Sequence, residues 1–238
     1  MEKLEKLRIL KRVLKKVKKN ATIEKTLVED IMLKIERVSV MNLENAMRGA
    51  RNPMNSWAKS DSHYDEDGNY VYGPVDLEFG SRLCHAGIDH RKFIRQIFVS
   101  VDITAPLYWW KDFDTYKVGT VANSTSTMHK IHSKPFERED FSYDRLDEKG
   151  IAMLDSIIAY LEDERQRFNE NREDRQSWHN MIQILPTSYN QMRTVTMNYE
   201  NLVNMYYARK SHKLAEWHVF CDWIKTLPYA AELILVKD

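Results

Sequence analysis

The sequence predicts an α+β fold in which helices dominate, and three observations carry that reading. From Phe93 to Ile103 the chain reads Phe-Ile-Arg-Gln-Ile-Phe-Val-Ser-Val-Asp-Ile, so that Ile97, Val99, Val101 and Ile103 alternate with Phe98, Ser100 and Asp102. Period two is the mark of a strand with one buried face. Downstream, residues 148–173 and 197–227 space their apolar side chains by three and four, the mark of helices. Finally, seven glycines in 238 residues form no GxGxxG or GxxxxGK(S/T) loop, which argues against folds that cradle nucleotide phosphates in glycine-rich turns.

Composition narrows the class further. Hydrophobic residues make up 43% and charged residues 30% of the chain, which excludes disordered, collagen-like and low-complexity chains. Thirty-six Lys and Arg stand against 35 Asp and Glu, a formal net charge of +1. That balance argues against a wholesale polyelectrolyte binder, and nucleic acid is not expected as a partner. Two cysteines, Cys84 and Cys221, are too few for a disulfide framework or a zinc motif. No apolar run approaches the ~20 residues that span a bilayer. Met1-Glu2-Lys3-Leu4-Glu5-Lys6 lacks a signal-peptide core, so a cytoplasmic protein without a membrane partner is expected.

In chain order, residues 1–20 read as a basic amphipathic helix, with Leu4, Leu7, Leu10, Leu14 and Val17 on one face and nine basic residues between Lys3 and Lys19. Such a helix either attaches to an anionic surface or docks one face and leaves its lysines solvated. Residues 21–238 read as a single domain. A second helix is expected over Ile23–Val40, and Asn52-Pro53 marks a helix stop, because the residue before proline is pushed out of helical geometry. Residues 59–74 are polar and turn-rich and predict a loop or hairpin insertion, with Asp67-Gly68 at its turn. The Asp65, Glu66, Asp67 cluster lacks the glycine and distal glutamate spacing of a calcium loop. Ala105-Pro106 ends the alternating strand, and Leu107-Tyr108-Trp109-Trp110 begins an aromatic helix. Glu148 to about Glu173 predicts one long helix, with Met153, Ile157, Tyr160 and Leu161 on its apolar face. Met197–Leu227 is helical in pattern, with Leu202, Met205, Trp217, Cys221 and Ile224 at core spacing.

Local motifs name no reaction and no catalytic residue. There is no HExxH, and His129 and His132 have i, i+3 spacing without a third ligand, so no metal site is expected. There is no GxSxG elbow, and a Cys-His nucleophile has no support. Asn123-Ser124-Thr125-Ser126 offers amide and hydroxyl groups able to hold a phosphate or a pyrimidine edge, with Lys117 as a nearby point charge; the same residues also suit a cap or turn. Asn198, Leu202, Met205 and Arg209, at offsets 0, 4, 7 and 11, form one helical stripe that ends in a guanidinium. That stripe could face a ring-plus-phosphate ligand or a subunit. Asn204 lies on another side of the same helix.

Taken together, these residues resemble the flavin-dependent thymidylate synthases. Val99-Ser100-Val101-Asp102-Ile103-Thr104-Ala105-Pro106 is similar to the family's strand ending in Ala-Pro, and Asn123-Ser124-Thr125-Ser126 to the Asn-x-x-Ser core of its signature Arg-His-Arg-x-x-Ser-x-Asn-x-x-Ser-x-Arg-Tyr. Leu185-Pro186, Asn198, Leu202, Asn204 and Arg209 follow the order of its later segments, and Ala215-Glu216-Trp217 resembles its Ala-Gln-Trp. The resemblance covers roughly residues 85–235. It implies a helix-rich single domain with a small antiparallel sheet, a homotetramer with sites between subunits, and a methyltransferase that binds a deoxyuridine nucleotide (dUMP) and FAD, with methylenetetrahydrofolate and NADPH as co-substrates. It implies cofactor contacts from Lys117, Asn198, Asn204 and Arg209, and substrate contacts from Asn123, Ser124, Ser126, Arg193 and Arg209.

The sequence departs from the pattern where charge matters. Tyr116, Lys117 and Val118 occupy the Arg-His-Arg positions, Val121 replaces the signature's first Ser, and Met128-His129 replaces its Arg-Tyr. Met192 replaces a nucleotide-binding arginine, with Arg193 one position late; Glu200 stands where an arginine is usual, and one extra residue separates Arg209 from Ala215. Tyrosine and valine offer no charge-assisted fork, so weak or substoichiometric flavin is expected. An alternative is a catalytically inactive scaffold used for nucleotide sensing or protein interaction. Arg48, Arg51, Arg91 and Arg95 are the candidates to replace the missing charges, and Arg209 could instead pair with Glu216 or Glu200. Trp109, Trp110, Tyr206, Tyr207, Trp217 and Trp223 suggest more aromatic surface than one core hides, which also points to a homo-oligomer.

Overall fold

The computed structural model describes residues 32–236. The basic segment at residues 1–20 and the first part of the helix expected over Ile23–Val40 lie outside the described residues. The rest of that expectation is corrected, because Lys34–Met41 is a strand, β1. A four-stranded antiparallel sheet organises the chain in the order β1-β4-β6-β5, where β4 is Phe98–Pro106, β5 Val121–Ser124 and β6 Asn190–Asn198. With its many helices this is the α+β, helix-rich architecture with a small antiparallel sheet.

Alternation sets the register. On β4, Val99, Val101, Ile103 and Ala105 are buried, as are Val195 and Met197 on β6. The opposite face carries hydroxyls and a carboxylate: Thr194 Oγ1 donates to Asp102 Oδ1 at 2.6 Å, and Thr196 Oγ1 to Ser100 Oγ at 3.1 Å. A slip of one residue would expose the apolar set, at about 1.5–3 kcal/mol per large side chain. The strand begins later than the pattern suggested. Arg91–Gln96 forms a 3-10 turn, because Phe93, Ile94 and Ile97 are all buried, a spacing that a turn of helix satisfies and a strand does not.

Between β1 and β4 lie helix α1 (Leu43–Arg51), which ends directly before Asn52-Pro53, the short hairpin β2 (His63–Tyr64) and β3 (Tyr70–Val71), and helix α2 (Pro74–His85). Gly68 at the hairpin turn has φ +79°, a region that glycine enters without strain. The buried Arg51 guanidinium bonds Asp76 at the start of α2, and Ser60 and Ser62 donate to the same carboxylate. Burial pushes Asp76 up, but the bonds from Ser60, Ser62 and Arg51 outweigh it and hold the carboxyl below its ordinary value.

Beyond the sheet, α4 (Glu148–Glu170) and α5 (Arg175–Ile184) close a second apolar cluster of Ile131, Phe136, Phe141, Leu154, Leu161, Phe168 and Met181. The buried face of α4 therefore runs through Leu154, Leu161 and Phe168, whereas Met153 and Tyr160 are exposed, contrary to the sequence pattern. The helical stretch expected over Met197–Leu227 is three elements: the end of β6, α6 (Tyr199–Arg209) and α7 (Ala215–Ile224), before the short α8 (Ala230–Leu233). Leu202, Met205, Trp217, Cys221 and Ile224 are all core, as their spacing predicts.

Candidate functional site

Helix α3 (Leu107–Phe113) leaves β4 without a loop and buries Trp109, Trp110 and Phe113. These rings meet Trp217 and Phe220 of α7, with Trp109 and Trp217 centroids 4.8 Å apart. The result is an aromatic slab beneath the C-terminal end of α3. Trp110 donates its indole N–H to Gln191 O at 2.9 Å, tying the slab to β6.

Two guanidinium groups lie against this slab. Arg193 of β6 sits 4.3 Å from the Trp110 ring centroid, donates from Nε to Gln191 Oε1 at 3.0 Å, and from Nη1 to Asp114 Oδ1 at 2.8 Å. Arg209, at the end of α6, lies 4.9 Å from the Trp217 ring and 5.4 Å from that of Tyr116. Its Nε donates to Tyr116 Oη at 2.8 Å and its Nη2 to Asp112 Oδ1 at 2.7 Å. Asp112 also accepts from Trp217 Nε1 at 2.8 Å, with His212 Nε2 at 3.5 Å from the same oxygen, Oδ2. The two carboxylates that engage the arginines thus flank Phe113 at the end of one helix. Cation over indole and charge-assisted fork are both arrangements that favour Arg over Lys.

The segment that follows, residues 114–120, is anchored at the other end of α6. Asn201 Nδ2 donates to Val118 O at 2.7 Å. Gly119 has φ +74°, and a Cβ there would meet Asn198 Nδ2 at 3.0 Å, so both backbone conformation and space call for glycine. Asn198 and Asn201 form a reciprocal capping box on α6. The side chain of Asn198, expected as a cofactor contact, therefore accepts the Asn201 N–H at its Oδ1 at 3.0 Å.

Strand pairing separates the remaining candidates. On β5, Ser124 stands opposite Arg193 and Asn123 opposite Thr194. Directly opposed residues share a face and neighbours alternate, so Ser124 joins the Arg193 face while Asn123 belongs to the face of Thr194 and Asp102. Ser126 follows the strand, and its Oγ accepts the backbone N–H groups of Met128 and His129 at 3.2 and 2.8 Å. Lys117 and Asn204 are both exposed. The structure therefore brings Ser124 to Arg193, and Arg209 to the segment that carries Lys117.

Several other expectations are settled by partners. Arg209 pairs with Asp112 and not with Glu200 or Glu216. Glu200 is held in a buried two-bond pair with Arg91, Nε to Oε2 at 3.0 Å and Nη2 to Oε1 at 2.8 Å. Glu216 is buried and accepts from the Tyr108 hydroxyl; burial first, then that bond, pushes the phenol above its ordinary value. Neither Arg91 nor Arg51 is thus a spare charge for a phosphate, whereas Arg48 and Arg95 are exposed. Burial pushes both Cys84 and Cys221 up to about 12, so neither thiol supplies a thiolate at neutral pH. His132 packs its ring on Phe168 at 5.0 Å, and burial, followed by Arg172 and Lys130, lowers its pKa. Among the described residues no three His, Cys, Asp or Glu side chains gather as metal ligands, and no helix is long and apolar enough to cross a membrane.

Asp112, Asp114, Trp110, Trp217, Tyr116 and Gln191 are the site residues that the sequence reading left out. The signal was Asp-Phe-Asp directly after a Trp-Trp pair, two acids at the end of an aromatic helix. Clefts of about 700 and 600 Å³ lie elsewhere, between α2 and α8 and beside the β2–β3 hairpin. The arginine-bearing slab is distinguished by chemistry rather than by depth.

No protein-family model and no curated protein matches the sequence. Solved structures do match. Thymidylate synthase X of Helicobacter pylori, with FAD and dUMP, aligns with a TM-score of 0.62 and 17% identity over 87% of this chain and 100% of its own. A second complex of the same organism's flavin-dependent enzyme, with FAD and dUMP, gives 0.58 and 18% over 84% and 98%. A UMP/dUMP methylase, PolB from Streptomyces cacaoi, bound with 5-Br dUMP, gives 0.59 and 14% over 85% and 94%. The chain has the flavin-dependent thymidylate synthase fold. At these identities the likeness concerns the fold alone, and what the fold does here rests on its residues.

Proposed function

We propose that the protein binds a deoxyuridine nucleotide, with the Arg193–Arg209 slab as its site. The observation that carries this reading is the pair of guanidinium forks laid against buried indole rings at one helix end, each partly exposed and able to meet a phosphate with the N–H groups its acid leaves over. The dUMP-bound neighbours of the same fold support it. The fuller reading adds methylation of that nucleotide with methylenetetrahydrofolate, flavin and NADPH, in a cytoplasmic homotetramer. Isothermal titration with dUMP tests the binding: saturable one-per-subunit heat is expected, and no heat at millimolar dUMP overturns the reading.

The residues present do not fit a tightly held FAD. Tyr116, Lys117 and Val118 stand in an exposed or half-exposed segment, the Asn198 oxygen caps α6, Asn204 faces outward, and Glu200 replaces a cation. Each lost charge-assisted contact removes about 1.5–3 kcal/mol, so two or three cost several orders of magnitude in affinity. The purified protein is expected to show weak or substoichiometric flavin absorbance; a bright yellow preparation with one FAD per subunit would contradict this. The Arg91–Glu200 pair favours a second reading, an inactive scaffold used for nucleotide sensing or protein interaction, because a buried acid paired within the chain occupies a position where the family carries an arginine.

The aromatic argument for an oligomer loses most of its ground: Trp109, Trp110, Trp217 and Tyr206 are buried within one chain, and of the six only Tyr207 and Trp223 are half-buried. Exposed apolar side chains lie elsewhere, with Val118 at 88% and Val121 at 65% exposure beside the slab. We propose that these meet a second subunit in the tetramer. Light scattering at micromolar concentration is expected to give a mass well above 28.3 kDa, and a monomer would remove any shared site.

A further inference from the structure

We propose that Asp112 is the positioning residue of the site, fixing at once the Arg209 guanidinium and the indole it lies against. One carboxylate serves both partners of the cation–ring pair. Its Oδ1 takes Arg209 Nη2 at 2.7 Å and its Oδ2 takes Trp217 Nε1 at 2.8 Å, while the guanidinium lies 4.9 Å from the same indole ring. His212 stands beside the same carboxylate. Its Nδ1 accepts the Leu214 N–H at 3.2 Å, and its Nε2 lies 3.5 Å from Asp112 Oδ2. The two donors come from the end of α6 and the start of α7, and His212 from the turn between them, so Asp112 of α3 ties the two helices to one charge. Its oxygens are engaged by protein donors, which makes it a holder of Arg209 and not a ligand contact. Charge neutralisation also matters, because a guanidinium and an indole held by one acid keep their mutual orientation before any ligand arrives.

The inference rests on Arg209 as a nucleotide contact, but its central test does not need a nucleotide. Phenylglyoxal labels arginine side chains, and peptide mass spectrometry reads each site separately. Asp112→Asn keeps the shape and one acceptor but removes the charge. It should speed labelling of Arg209 by about 10–100-fold, the equivalent of one charge-assisted bond, and leave Arg193, which is held by Asp114, at its original rate. Equal rates for Arg209 in the two proteins overturn the proposal. So does a parallel rise at Arg193, once Asp112→Glu, which keeps the charge and displaces it by one methylene, shows the same parallel rise in a folded protein. Titration with dUMP then separates the two readings. If the unmutated protein binds dUMP, Asp112→Asn should weaken it about tenfold or more, and unchanged affinity overturns the positioning role. If the unmutated protein binds none, the nucleotide reading fails while the labelling result still decides what Asp112 does.

Discussion

Glu200→Ala should destabilise the protein by about 3–5 kcal/mol, because it strands a buried guanidinium without its counter-charge. The Arg91 side chain is 2% exposed and spends two N–H groups on Glu200. Removing the acid leaves that charge unpaired beside the buried Phe93 and Ile94. For a chain of this size that loss corresponds to a fall in melting temperature of roughly 6–20 °C. The control is the double replacement Arg91→Met with Glu200→Leu. Burying an ion pair costs desolvation of both charges, and apolar side chains of similar volume often do as well or better, so the double variant should melt near the unmutated protein. A single variant that melts normally would mean that the pair is solvated. A double variant as unstable as the single would mean that the two residues hold the 3-10 turn to α6 by shape and not by charge.

What was legible in the sequence, and what was not, follows from the range of the interactions. β4 could be read because its buried face is purely apolar, so the alternation is undiluted. β6 has the same alternation, but its inward positions include Gln191 and Arg193 beside Val195 and Met197, and two polar residues hide the period. β1 hides it differently: its register shifts between Glu36 and Ser39, and Arg37 takes φ +52°. A bulge inserts a residue and breaks period two at mid-strand. The site shows the same contrast. The stripe of Leu202, Met205 and Arg209 and the outward position of Asn204 follow from helix geometry alone. The partners of Arg209 do not, since Asp112 lies 97 residues away in sequence, and no local pattern encodes which of several acids a charge will meet. Asn198 was readable as a cap, Asn-x-x-Asn at a helix start, although order in a family motif suggested a ligand contact.

Arg209 should carry the largest single effect on binding. Arg209→Ala is expected to abolish the calorimetric signal for dUMP, while Arg209→Lys, which keeps a point charge but cannot reach Tyr116 and Asp112 together, should weaken binding by about 10–100-fold. Stability should respond as well. The side chain is 17% exposed and makes two hydrogen bonds within the protein, so truncation removes structural contacts along with any ligand contact. That sets it apart from a free surface arginine, whose pairings contribute below about 1 kcal/mol. The lysine variant therefore decides the matter: it retains charge and much of the stem that covers Trp217. If it melts near the unmutated protein and binds dUMP weakly, the fork itself recognises the ligand. If it melts lower yet binds dUMP with unchanged affinity, Arg209 is a brace between α3 and α6, and the nucleotide must be sought at Arg193, where Ser124 stands opposite on β5.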